Sequence, residues 1–152
     1  MRLRVSILLL CVLLALSVTD VRAMPSQRTA AATVLSTYYG LLNVAMQTGD
    51  FSAVVTAYAP DAVLTWSSAL GVTTVFKGRA AIAGYYKAVY AKFPRLHFTL
   101  VGSEHNLSPS ILLRYEKAIT PSMVVPARCA HLFMIQSGLI ASDDWVTYFP
   151  GK

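Results

Sequence analysis

The spacing of apolar side chains predicts three helices. In Thr33–Gly49 and again in Ala80–Phe93, apolar residues recur every three or four positions, which places them on one face of an amphipathic helix. Between these segments, Asp50 can cap a short helix that extends to Tyr58. Pro94 ends the third helix, because the residue before a proline disfavours helical backbone.

The rest of the chain has the pattern of β-structure broken by short turns. Predicted strands cover residues 62–66, 72–76, 96–103, 110–120, 127–137 and 139–149. The first two form a hairpin, and the last four follow one another as a meander. We therefore predict an α+β fold, with three N-terminal helices packed on a curved antiparallel sheet of about six strands.

The N-terminal segment has the layout of a secretory signal peptide. Two arginines precede the apolar stretch Val5–Val18, and Val21 and Ala23 are small residues at the positions expected before a cleavage site. The apolar stretch is shorter than the roughly 20 residues that span a bilayer as a helix. We expect residues 1–23 to be removed and the protein to be secreted or otherwise exported.

Removing that segment changes what the composition implies. The full chain has 152 residues, a net charge of +6 and a mean hydropathy of +0.53. The 129 residues that follow position 23 suffice for one domain, which we assign to 33–149 after a flexible lead-in at 24–32. Without the three arginines and one aspartate of the segment, the net charge falls to +4. A spread charge of this size does not indicate a nucleic-acid binder.

The cysteines and histidines predict no metal or cofactor site. Cys129 has no intrachain partner once Cys11 is removed, so stability must come from packing. His97, His105 and His131 are far apart and lack the spacing of metal ligands. No second apolar run approaches the length of a membrane span. We expect no cofactor, no nucleic-acid partner and, after signal removal, no membrane partner.

Several motifs resemble the SnoaL-like branch of the NTF2-like superfamily. The similar segments are, in chain order, Tyr38-Tyr39, Thr48–Phe51, Tyr58–Trp66, Phe76–Ile82 and His131–Ile140. The last two resemble the family's strand–glycine–helix junction and its late hairpin. The resemblance extends over residues 33–149, and its specificity comes from the order and spacing of the motifs together.

The resemblance implies a cone-shaped fold, in which a bent sheet wraps around helices and a pocket opens at one end. Family members often dimerise through the convex face of the sheet, so we expect a homodimer. The family includes ketosteroid isomerases, limonene-epoxide hydrolases, polyketide cyclases and proteins that only bind ligands. Because one fold hosts several chemistries, the activity has to be argued from individual residues.

The isomerase catalytic set is incomplete in this chain. The subfamily's carboxylate base on the first strand corresponds to Trp66, which cannot accept a proton. Its acidic hydrogen-bond donor corresponds to His131, and its helix-borne tyrosine to Tyr38 if the helix register shifts by one turn. Steroid-type proton shuttling requires all three roles within hydrogen-bond reach.

The epoxide-hydrolase set is incomplete as well. Arg114 and Glu116 resemble the subfamily's Arg-X-Asp, but Thr147 stands where a second acid is expected, and that chemistry requires two carboxylates of unlike pKa. Arg114 and Glu116 share one face of their strand, and Tyr115 takes the other. With Tyr115 facing the pocket, the charged pair is expected outside, as a surface ion pair.

A cyclase-type reaction requires only a base beside an acidic C–H group and donors that stabilise an enolate. If Phe133 faces inward, His131 does too, and Asp143 on the next strand could orient it as a general base with a pKa near working pH. The alternative is a satisfied, partly buried histidine beside an exposed turn acid. Asp144 is expected on the opposite face of the strand from Asp143.

Aromatic residues on the predicted walls of the cone favour ligand binding. The predicted pocket residues are Tyr38, Trp66, Tyr86, Tyr115, Trp145 and Thr147. A mostly apolar cavity with a few polar groups suits a small hydrophobic molecule. The leading interpretation is an exported SnoaL-like protein that binds such a molecule. The alternatives are a cyclase- or isomerase-type enzyme that uses His131 and Asp143, and a non-catalytic domain that pairs through its sheet.

Overall fold

A computed structural model describes residues 24–68, 70–102 and 104–148. The predicted signal peptide at 1–23 lies outside the described residues. The helices are α1 (Met24–Thr48), α2 (Ser52–Thr56) and α3 (Gly78–Lys92). The strands are β1 (Tyr58–Ser68), β2 (Thr73–Lys77), β3 (His97–Leu100), β4 (His105–Ser108), β5 (Ile111–Ile119), β6 (Ala127–Gln136) and β7 (Leu139–Tyr148).

Two helix boundaries differ from the prediction. α1 begins at Met24 rather than Thr33, so the lead-in at 24–32 is helical; its run of alanines has a high intrinsic helix propensity. α2 follows Asp50, whose Oδ1 accepts a hydrogen bond of 2.9 Å from the backbone N–H of Ser52. Tyr58 belongs to the first strand and not to α2.

The sheet has seven strands, whereas about six were predicted. The additional strand is β4, which pairs with β5. The predicted strand 96–103 ends at Leu100, and Gly102 then takes a φ of +79°. Glycine adopts this left-handed backbone without the steric penalty of a side chain, and the resulting bend allows β4 to form a separate strand.

The sheet is mixed, which corrects the prediction of an antiparallel one. Its strand order is β2-β1-β7-β6-β5-β3, with β4 beside β5. Every neighbouring pair is antiparallel except β1 and β7, which run parallel and place Trp66 opposite Trp145. Parallel pairing requires a long connection, and here most of the domain forms that connection.

Helices and sheet share one core on the inner face of the sheet. Along β5 and β6, inward residues are buried and the outward ones are mostly exposed. The core includes the fully buried rings of Tyr38, Phe51, Tyr58, Tyr86 and Phe133. Within the described residues, none of the helices combines the length and the apolar character that a membrane crossing requires.

Candidate functional site

An apolar cavity of about 540 Å³ lies at the end of the sheet where β1, β5 and β7 finish. Its apolar wall consists of Trp66, Leu70, Phe76, Tyr85, Ala88, Val89, Phe93, Leu96, Ala118, Met123, Ala127 and Trp145. Its polar side chains are Ser68, Thr74, Lys92, Cys129 and Thr147. This size and lining are typical of a site for a small apolar molecule.

The parallel pairing of β1 and β7 builds one wall of the cavity. It places Trp66 beside Trp145 and Ser68 beside Thr147. The indole N–H of Trp66 donates a hydrogen bond of 3.2 Å to the hydroxyl of Thr147. The thiol of Cys129 lies 4.0 Å from the same hydroxyl, so Thr147 contacts polar atoms of both Trp66 and Cys129.

Three buried tyrosine hydroxyls form a hydrogen-bonded cluster on a buried carboxylate. The hydroxyls of Tyr38 and Tyr86 lie 2.5 Å apart, and those of Tyr58 and Tyr86 lie 2.8 Å apart. Tyr58 donates a hydrogen bond of 3.0 Å to Oδ2 of Asp143. Burial raises the pKa of each of the three phenols well above its ordinary value, so the cluster is neutral at physiological pH and donates toward Asp143.

The other oxygen of Asp143 pairs with His131. Nδ1 of His131 lies 3.0 Å from Oδ1 of Asp143, and both side chains are buried. Burial lowers the pKa of His131, but the negative charge and hydrogen bond of Asp143 outweigh it and raise the pKa to about 10. His131 is therefore an imidazolium at neutral pH, in contrast to the expected pKa near working pH.

A second buried carboxylate lies on the opposite side of the imidazole. Oε2 of Glu116 is 3.8 Å from Nε2 of His131, while Oε1 accepts a hydrogen bond from Nε of Arg114. Arg114 also bonds Glu104 at 2.5 Å and lies over the ring of Tyr39, 3.7 Å from its centroid. Burial raises the pKa of Glu116, although the positive charges of His131 and Arg114 oppose that shift.

These positions correct the prediction for β5. Arg114 and Glu116 were expected outside the fold, with Tyr115 facing the pocket. Glu116 is instead 1% exposed and Arg114 8% exposed, while Tyr115 is 39% exposed on the outer face. Arg114 and Glu116 lie on the same face of β5, as predicted, but that face points into the core instead of outward. The pair tolerates burial because His131 and Tyr39 surround it.

Four buried polar atoms close to this cluster have no hydrogen-bond partner within the described residues. They are Oη of Tyr39, Oε2 of Glu116, Nε2 of His131 and Nε1 of Trp145. The rings of Tyr39 and Trp145 contact the His131 ring, with centroids 6.3 Å and 4.6 Å from it. Buried polar atoms are normally satisfied, and Nε2 of the protonated His131 ring is free to donate a further hydrogen bond.

Apart from Tyr115 on the outer face of the sheet, the predicted site residues divide between the cavity and the buried polar cluster. Trp66, Trp145 and Thr147 line the cavity. Tyr38 and Tyr86 belong to the tyrosine cluster in the core. His131 and Asp143 lie behind Trp145, so the dyad exists but does not line the cavity.

Sequence reasoning missed Tyr39 and Tyr58 as members of the polar cluster. Tyr58 was assigned to the end of a helix, and Tyr39 was noted only as part of a motif. Asp144 is exposed where Asp143 is buried, as predicted from strand alternation. Among the described residues, no group of three or more potential ligands is arranged to hold a metal ion.

Solved structures share this fold at low sequence identity. A phenazine biosynthesis-related protein from Pseudomonas aeruginosa matches with a TM-score of 0.66 and 11% identity, over 85% of this chain and 86% of that one. A SnoaL-like family protein from Agrobacterium tumefaciens, named as a candidate isomerase, matches with a TM-score of 0.60 and 19% identity, over 81% of this chain and 99% of that one.

A candidate polyketide cyclase from Sinorhizobium meliloti matches with a TM-score of 0.56 and 18% identity, over 71% of this chain and 92% of that one. No protein among the curated sequences resembles this chain closely enough to count as a match. These structures show the α+β NTF2-like fold and do not transfer an activity. The family model of the SnoaL-like domain matches residues 39–142; the chain therefore belongs to the SnoaL-like domain family.

Proposed function

We propose that this SnoaL-like protein binds a small hydrophobic molecule in the apolar cavity and lacks the known catalytic sets of its family. The observation that carries the proposal is the cavity of about 540 Å³ with its apolar wall. Protein interiors are close-packed, and unfilled space forfeits dispersion contacts. A cavity of this size is therefore best explained by a ligand that fills it.

The wall indicates the character of the ligand. Trp66, Tyr85 and Trp145 present aromatic rings, which favour a flat or ring-containing apolar scaffold. Lys92 at the opening and Thr147 on the wall are the groups best placed to fix one polar substituent. We expect a mostly apolar ligand with a single polar end.

Probe binding tests this function. Wild-type protein is titrated with the neutral fluorophore N-phenyl-1-naphthylamine, and native mass spectrometry of protein from its source looks for a retained ligand. Ala88 on α3 lines the cavity, so Ala88→Trp adds an indole at the cavity wall and should weaken probe binding about tenfold or more. The matched control, Ala53→Trp, places the same side chain on the exposed surface of α2. Equal affinity in the two variants, or no probe bound by the wild type, contradicts the proposal.

A second candidate function is proton transfer of the cyclase or isomerase type, because His131 lies between two buried carboxylates. With a pKa raised to about 10, His131 would act as a proton donor rather than as the general base first considered. Glu116, whose pKa burial raises, is the better base. A substrate would have to pass Trp145 to reach either group.

Deuterium uptake distinguishes this enzymatic function from binding alone. Cyclic unsaturated ketones are incubated with the protein in deuterated water, and exchange of their acidic C–H groups is followed by mass spectrometry. An enzyme loses exchange in His131→Gln and in Glu116→Gln while it keeps binding N-phenyl-1-naphthylamine. Absence of exchange in the wild type, with probe binding intact, leaves binding as the function.

We also propose that the protein is a homodimer that pairs through the outer face of its sheet. Tyr115, Leu132, Met134 and Val146 are each more than a third exposed on neighbouring strands of that face. A contiguous apolar patch of this kind suits a partner surface. Light scattering should give twice the chain mass, and Leu132→Lys should give the monomer mass. A monomeric wild type refutes the dimer.

Export of the protein is a separate proposal that rests on residues 1–23. Expression of the full chain in a secreting host should yield a product that begins at or near Met24. Mass spectrometry of the exported product reads its N-terminus directly. Retention of residues 1–23 in protein recovered from the cell interior contradicts export.

A further inference from the structure

Three turns surround the opening of the apolar cavity. We call them the rim, which consists of Leu70–Val72 between β1 and β2, Lys92–Arg95 between α3 and β3, and Pro121–Pro126 between β5 and β6. Each turn contributes to the cavity wall, through Leu70, Phe93 and Met123 respectively. Whatever contacts the rim therefore also faces the opening.

The rim exposes aliphatic side chains to an unusual degree. Leu70 is 93% exposed and Val124 is 97% exposed, and Val72 and Val125 are each more than half exposed. These four side chains lie on two turns that border the same opening. Single exposed apolar residues are ordinary, but a group of them around a cavity marks an interaction site.

The charge of the rim is entirely positive. Lys92 and Arg95 are both exposed there. Two further exposed cations, Lys117 on β5 and Arg128 on β6, stand opposite each other in the strand register. They lie on the outer face of the sheet near the same end as the rim. None of the six Asp and Glu residues in the described part of the chain lies on the rim. Such a surface is complementary to an anionic one.

We infer that the rim docks on an anionic lipid bilayer, with Leu70 and Val124 inserted among the lipids and with Lys92 and Arg95 at the headgroups. Protruding aliphatic tips on separate turns insert readily into a fluid apolar medium, whereas a folded protein partner would need a matching hole for each. Basic residues beside the inserted groups add attraction to anionic headgroups.

This inference extends the proposed function, because it names the bilayer as the source of the ligand. With the rim on the membrane, a lipid-dissolved molecule enters the cavity without crossing water. It also revises the sequence-based expectation of no membrane partner, which considered only segments that span the bilayer. Docking at the surface needs no such segment.

Vesicle sedimentation tests the docking. Wild-type protein, the rim variant Leu70→Asp/Val124→Asp and the control variant Val44→Asp/Leu107→Asp are mixed with phosphatidylglycerol vesicles. Val44 and Leu107 are also well exposed, at 62% and 60%, but lie away from the rim. The rim variant should bind vesicles at least about tenfold more weakly than wild type does. The control variant should bind like wild type.

Salt and lipid charge supply a second readout. Wild-type binding should fall in phosphatidylcholine vesicles and at high salt, because exposed charges are screened. All proteins carry the same N-terminus, verified by mass spectrometry, so any contribution of residues 1–23 is equal among them. A milder rim variant, Leu70→Ser/Val124→Ser, should show the same direction of change if the aspartates perturb the turns.

Equal vesicle binding by the rim and control variants, or no binding by the wild type, overturns the inference. N-phenyl-1-naphthylamine binding without vesicles separates this failure from that of the proposed function. If the rim variants bind the probe like wild type but lose the vesicles, docking and ligand binding are both supported. If wild type binds vesicles but not the probe, the docking inference is supported and the proposal of ligand binding in the cavity is contradicted.

Discussion

Trp145 packs against His131, with 4.6 Å between the ring centroids. Its indole also contacts Tyr85 on the cavity wall, at a centroid distance of 5.5 Å. One side chain thus closes the apolar cavity and covers the buried polar cluster behind it. The indole ring of Trp145 therefore separates the apolar cavity from the titratable side chains of His131 and Asp143.

Removing the ring should therefore join the two spaces and destabilise the fold. Trp145→Ala is expected to lower the free energy of unfolding by about 3–5 kcal/mol, as large-to-small changes in a core do. Trp145→Phe keeps an aromatic ring between cavity and histidine, so it should cost clearly less. Urea denaturation of both variants measures the difference, and similar losses would contradict the packing role of the ring.

Stability should fall as the solution becomes alkaline. The pKa of His131 is raised from an ordinary value of 6.5 to about 10 in the folded protein, so folding favours its protonated form. The stabilisation is complete below pH 6.5 and is lost as the pH rises through 10. A single group contributes a slope of at most about 1.4 kcal/mol per pH unit in that window.

His131→Gln isolates that contribution. Unfolding free energies of wild type and variant, measured across the window, should converge toward alkaline pH. Parallel curves for the two proteins would show that His131 does not hold its proton in the folded state. The comparison removes the effect of other groups that titrate in the same range.

Tyr58→Phe should destabilise the protein through Asp143. The variant removes the hydroxyl that donates to Oδ2 of the buried carboxylate without removing the ring. Loss of a hydrogen bond to a buried charged group costs about 1–3 kcal/mol. Tyr115→Phe deletes the same atom from an exposed side chain and should change stability little. Equal effects in thermal denaturation would contradict the role of Tyr58.

Glu116→Gln should cost more stability than Glu104→Gln. Both carboxylates bond Arg114, but Glu116 is fully buried whereas the Glu104 side chain is 19% exposed. Neutralising one member of a buried pair leaves the other charge uncompensated, at a cost of about 3–5 kcal/mol, and the more exposed partner contributes less. Chemical denaturation at neutral pH gives the order, and a reversed order refutes it.

Gly78→Ala should strain the junction between β2 and α3. Gly78 has a φ of +77°, and a Cβ there would lie 3.3 Å from the carbonyl oxygen of Pro60. The expected cost is about 1–3 kcal/mol. Gly84→Ala on the same helix meets nothing within 4 Å, and alanine should stabilise that position by about 0.5–1 kcal/mol. Shifts of the same sign in melting temperature would contradict this account.

Local patterns in the sequence predict the elements and the alternation of faces, but not which face is inside. On β5, Arg114 and Glu116 were expected outside because Tyr115, on the opposite face of the strand, was expected to face the pocket. Their burial depends on Tyr39 from α1 and His131 from β6, which are distant in sequence. Alternation within one strand contains no information about such partners.

The cavity was predictable in kind and not in detail. The aromatic residues Trp66 and Trp145 indicated an apolar wall, and both line it. Their adjacency results from the parallel pairing of β1 and β7, which no turn in the sequence specifies. The same pairing brings Asp143 opposite Leu64, and Tyr58, near the start of β1, bonds that carboxylate.

The parallel contact between β1 and β7 also constrains how the chain folds. β1 is among the first strands to leave the ribosome, and β7 is the last of the described strands. Until β7 exists, β1 can pair only with β2, and a lone two-stranded hairpin is marginally stable. Closing so long a loop makes the pairing intrinsically slow. The cavity wall formed by Trp66 and Trp145 is therefore completed late in folding, after the rest of the domain has been synthesised.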